Sequence, residues 1–77
     1  MTEVEFCKQH CNDVSTAQEI WVQEYVAKKT FVGVGRPFGC RAYMPVVFLE
    51  RGYFAIDSHG SLRPASTASI IKFGGSK

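Results

Sequence analysis

The chain has 77 residues, 45% hydrophobic and 21% charged, a balance that excludes a disordered polar chain. One domain of this length buries only about 60% of its unfolded surface, and its core supplies roughly 3–5 kcal/mol, so self-association as a dimer is expected from size. The net charge of +2 is unevenly spread: residues 1–27 set Lys8 against five acids, −4, and residues 28–77 set eight bases against two acids, +6.

Residues 2–12 fit two readings. As a helix, Thr2 and Glu5 form a capping box, and Val4, Cys7, Cys11 and Val14 share one face; as a strand, Val4 and Phe6 alternate with Glu3 and Glu5. The longer periodic set favours the helix. Asn12-Asp13 is the natural break.

Residues 15–29 form the clearest helix. Thr16 with Glu19 makes a capping box, and Ser15 with Gln18 offers the same one residue earlier. Ala17, Trp21 and Tyr25, widened by Ile20, Val22 and Val26, predict the buried stripe, with Glu19 and Gln23 on the wet side.

From Thr30 the pattern becomes that of strands. Thr30 to Val34 alternates, and Gly35 to Gly39 is a loop. Arg41 to Glu50 is a second strand region. Pro45 belongs at an edge, a bulge or the strand start, and Val46 to Leu49, apolar on both faces, is expected to be central. Arg51-Gly52 turns the chain into Tyr53 to Asp57. Ser58 to Ser61 is a further turn, and Leu62-Arg63 is a short pairing ended by Pro64. Residues 66–73 read as a closing strand or a short helix, and 74–77 as a frayed tail. The fold class is α+β: N-terminal helical segments on a three- to four-stranded antiparallel meander, the Trp21 face covering one side. The alternative is a small SH3-like barrel with an N-terminal helix.

No apolar run reaches the ~18–20 residues of a membrane span, and the acidic N-terminus does not read as a signal peptide. Three cysteines, an odd number, suit a reducing compartment, so a cytoplasmic protein is expected.

Four constellations invite a chemical reading. Cys7 and Cys11, with His10 beside them and Cys40 and His59 elsewhere, could ligate zinc, but the spacing matches no finger or ribbon; buried apolar cysteines account for the pair. Asp57-Ser58-His59 holds acid, nucleophile and base, yet neighbouring turn residues point apart, and Asp, Ser and Gly are turn formers. The glycines of residues 33–39 lack the helix that a dinucleotide loop needs. That loop nonetheless presents Arg36, Phe38 and Arg41. Finally, Tyr43, Tyr53, Arg41 and Arg51 could form a basic-aromatic sheet face for single-stranded nucleic acid, against a background in which Phe31, Phe48 and Phe54 are core.

No cofactor or catalytic signature is complete. The expected function is therefore a non-enzymatic module that binds a protein, an acidic one by charge, through Arg36, Phe38, Arg41, Arg51 and Tyr53. A nucleic-acid binder using residues 28–77 is the alternative, and a metal protein or enzyme on Cys7, Cys11, Cys40 and His59 is the second.

Overall fold

The computed structural model describes residues 1–74. Two N-terminal helices pack on an antiparallel sheet, an α+β architecture. Helix α1 (Glu3–His10) starts as its sequence dictates: Thr2 Oγ1 accepts from the Glu5 amide at 3.2 Å, and Glu5 Oε1 accepts from the Thr2 amide at 2.9 Å.

Helix α2 (Thr16–Ala27) uses the earlier of its two boxes. Ser15 is the cap, and the Gln18 Oε1 accepts from the Ser15 amide at 2.9 Å. Tertiary partners decide between the two. The other end of the Gln18 amide, Nε2, donates to the Ile56 carbonyl at 3.0 Å in the interior. Glu19 turns outward instead and pairs with Lys8 at 3.0 Å, an exposed contact worth about 0.5 kcal/mol at most.

This choice rotates the helix from the expected stripe. Gln18 and Val22 are buried, with Val26 beside them, while Ala17, Trp21 and Tyr25 are half-buried along one flank and Ile20 is 53% exposed. Both helices pack on the sheet and on each other, so the innermost line of α2 is the one facing both neighbours. Trp21 instead covers the turn at Gly60, where a Cβ would meet the indole at 2.8 Å.

The sheet has five strands rather than three or four: β1 (Phe31–Gly35), β2 (Met44–Leu49), β3 (Gly52–Ile56), β4 (Leu62–Pro64) and β5 (Ile71–Lys72), in the order β4-β3-β2-β1-β5, all antiparallel. Pro45 is the second residue of central β2, near its start, paired with Val34. Residues 66–73 supply a 3₁₀ turn (Thr67–Ser69) and then β5, so both readings of that segment were half right. The two-residue β5 lies so close to β1 that a Cβ on Gly33 would collide with the Ile71 carbonyl oxygen; only glycine fits there.

The sheet is open, not the closed barrel of the alternative reading. Its extensions do meet: Pro37, beyond β1, bridges Ala65, beyond β4. One core cluster lies under the helices (Phe6, Cys7, Cys11, Val22, Val34), edged by Phe31, Tyr43 and Phe73. The other lies on the far face, where Ala65 and Ile70 pack with Val46 and Ala55. Each fully buried Val or Ile in these layers contributes about 1.5–3 kcal/mol. The expected frayed tail, beyond Gly74, lies outside the described residues.

Candidate interaction surface

The loop between β1 and β2 is held by its backbone. The Phe38 amide donates to the Pro64 carbonyl at 3.1 Å, the Ser66 amide to the Arg36 carbonyl at 2.8 Å, and the Cys40 amide closes a turn on the Pro37 carbonyl at 3.2 Å. The Arg36 amide donates to Ser69 Oγ at 2.8 Å. On this braced loop Phe38 stands 69% exposed, with Arg41 exposed nearby. An aromatic side chain held out to solvent by a fixed backbone loses little freedom on meeting a partner.

Arg36 plays another part. It is half-buried, its guanidinium lies 5.8 Å from the centre of the Tyr43 ring, and its Nε is buried without a hydrogen-bond partner. That stacking fixes the loop rather than presenting a free charge.

Arg51 belongs to the β2–β3 hairpin, at the other end of the β2 strand from Phe38 and Arg41. Tyr53, in β3, is half-buried and faces Phe48 across the ladder. The five expected contact residues therefore form two groups: Arg36, Phe38 and Arg41 on the loop, Arg51 and Tyr53 at the hairpin. Residues 64–65 link them, since the Ala65 amide donates to the Tyr53 carbonyl at 3.0 Å.

Phe48, expected in the core, is 47% exposed. Its ring sits 5.0 Å from that of Tyr53, tilted by 58°. Phe48 and Tyr53 flank the two-residue Glu50-Arg51 turn symmetrically, so they share one face, and residues 65–70 cover only part of it.

The catalytic and metal readings meet different geometry. The Asp57 Oδ1 accepts from the amides of His59 and Ser61, both at 2.9 Å, and Oδ2 pairs with Arg63 Nε at 3.3 Å. Burial pushes the Asp57 carboxyl up, but those amides, Arg63 and His59 outweigh it and hold it below the ordinary carboxylate value. The carboxylate thus builds the turn instead of orienting an imidazole. A cleft of about 340 Å³ beside it is lined by Asn12, Tyr43, His59 and Arg63 among others, with Asn12 Oδ1 accepting from the Tyr43 amide at 3.3 Å.

Cys7 and Cys11 do meet, both buried. A side-chain hydrogen bond to Cys11 and burial push the Cys7 thiol far up, so it stays protonated. Among the described residues no three His, Cys, Asp or Glu side chains gather as a metal site, so Cys40 and His59 do not complete the pair. No helix among them is long and apolar enough to cross a membrane.

The charge division survives folding. Among the described residues the ion pairs are Lys8–Glu19 and Arg63–Asp57, each internal to its own half of the sequence. No pair joins the acidic helices to the basic sheet.

Compared with known proteins, the chain matches no family model, no curated protein and no solved structure.

Proposed function

We propose that this chain is a small non-enzymatic binding module that works by protein contact and pairs with itself. The observation that carries the reading is the charge left unpaired between the two halves beside an aromatic residue, Phe38, held in solvent. An acidic protein surface with a pocket for Phe38 and a carboxylate for Arg41 is the complementary shape. Self-pairing draws on the same feature, with the acidic helical side of one copy against the basic side of another. Exposed Ile20 and Phe38, one on each side, add apolar area to such a contact.

The test is capture on the immobilised chain from nuclease-treated extract of its source cells, each retained protein being identified. A partner retained by the wild type and lost with Phe38→Ala or Arg41→Glu, at unchanged melting temperature, is the expected result. Equal retention by the variants refutes the role of the loop. Self-pairing predicts a melting temperature that rises with protein concentration; a flat one refutes it.

A further inference from the structure

Phe48 and Tyr53 lie away from the loop, on the sheet face opposite the helices. Three bases surround them. The Phe48 amide donates to the Thr30 carbonyl at 2.8 Å, so Lys29 is the residue before the one that pairs with Phe48. Arg51 turns the hairpin that joins them. Lys72 pairs with Gly33, and Gly33 pairs with Val46, so Lys72 projects from the same face as Val46 and Phe48. Lys29, Arg51 and Lys72 are all exposed, and Glu50 is the carboxylate of that hairpin.

We infer that this face binds single-stranded nucleic acid, with bases stacking on Phe48 and Tyr53 and phosphates following Lys29, Arg51 and Lys72. Two features favour this occupant. Flat rings half open to solvent on a sheet offer a π-face that any unpaired base can use, whereas duplex bases are already stacked on one another. The exposed bases come from three neighbouring elements, the β1 entry, the hairpin and β5, which suits a chain carrying one anion per nucleotide. Phe48 also lacks a packing reason for its place: its side neighbours Val46 and Ala55 are fully buried, and it is not. The face is distinct from the loop of residues 36–41, so the two activities fail separately.

The probe is a fluorescein-labelled oligothymidylate of about 16 nucleotides, with a duplex of equal length, read by anisotropy at about 50 and about 200 mM salt. The single strand should bind preferentially. Neutralising three phosphates gives a log–log salt slope of about −2, hence a loss of about 15-fold over that range. Phe48→Ala should weaken binding about 5- to 100-fold, and Phe48→Tyr should restore most of it. Lys72→Glu should flatten the slope, while Phe38→Ala should bind like the wild type. Since Phe48 is exposed, an unchanged melting temperature for Phe48→Ala separates binding from folding. The inference is overturned by no binding at low salt, by equal affinity for duplex, or by full binding in Phe48→Ala. Displacement of the strand by polyglutamate at equal charge overturns it too, and assigns the face to an acidic protein.

Discussion

Replacing Gln18 with alanine should cost this domain most of its stability. Gln18 is 3% exposed and serves two elements at once. Its Oε1 satisfies the Ser15 amide at the start of α2, and its Nε2 satisfies the Ile56 carbonyl at the end of β3. Alanine removes both. Loss of the cap partner costs about 0.5–1 kcal/mol, and an orphaned interior carbonyl about 1–3 kcal/mol. The total, about 1.5–4 kcal/mol, rivals the roughly 3–5 kcal/mol that a core of this size supplies. Urea unfolding followed by circular dichroism should show the midpoint falling by more than half. Gln18→Met, which keeps the volume and loses the hydrogen bonds, should lose nearly as much. Gln18→Glu keeps the acceptor for Ser15 but sets a carboxylate against the Ile56 carbonyl, so it should be the worst at neutral pH and recover partly in acid. A Gln18→Met protein within about 0.5 kcal/mol of the wild type would refute the reasoning, because volume alone would then explain the site.

Gly33→Ala should unfold or displace β5, since the new methyl meets backbone that cannot swing away; protection of the Phe73 amide, which donates to the Val32 carbonyl at 2.9 Å, should vanish in hydrogen exchange. The Asp57 carboxyl is held below its ordinary value, so its contribution is present above about pH 4 and lost as pH falls through the lowered folded value; Asp57→Asn should flatten that acid limb in stability measured against pH. Thiol titration of the native chain should find one reactive cysteine, Cys40, with Cys7 and Cys11 reacting only after unfolding; early reaction of all three would contradict their burial. Ser15→Ala should cost about 1 kcal/mol and Thr16→Ala almost nothing, the reverse of what a Thr16–Glu19 box requires.

How far the sequence revealed these features depends on the range of the forces involved. Capping boxes and tight turns are local, so the start of α1, a hairpin after Leu49 and the Pro64 stop are legible, although the hairpin turns one residue earlier than expected, at Glu50-Arg51, with Gly52 already in β3. The choice of Ser15 over Thr16 was not, because it is decided by Ile56, 38 residues beyond Gln18. The same partner turned α2 so that Gln18 and Val22 face inward, where an apolar pattern centred on Trp21 pointed elsewhere. The closing segment stays open between strand and short helix in the sequence because two residues of strand carry no periodicity, and it turns out to hold both, a 3₁₀ turn and then β5; Gly33, placed where a strand disfavours glycine, marks the close approach. On the loop between β1 and β2, the exposure of Phe38 and Arg41 agrees with the sequence reading, since a loop bounded by glycines has little to bury them. The stacking of Arg36 on Tyr43 is not legible in the sequence, because only the returning chain supplies that ring. Phe48 was assigned to the core by hydrophobicity, although strand alternation placed it with Tyr53.

The division of charge ties these surfaces together. A chain could use such a division to hold itself, by pairing its acidic helices with its basic sheet. Among the described residues the two ion pairs stay within their own halves, so attraction between the halves adds no specific contact there. The acids Glu5, Asp13 and Glu24 stand exposed on the helical side, and Ile20 is exposed one turn before Glu24. Lys29, Arg41, Arg51 and Lys72 stand exposed on the sheet and its loops. Exposed charges of one sign repel each other and keep the chain soluble, and they also set what the surface attracts. A second copy can satisfy both signs at once, and a two-fold arrangement makes each contact twice. An anionic partner can satisfy only the basic side. An acidic partner held at the loop must compete with the acidic helices of another copy, so self-pairing and protein capture are linked through Arg41, whereas Lys29, Arg51 and Lys72 serve the separate sheet face.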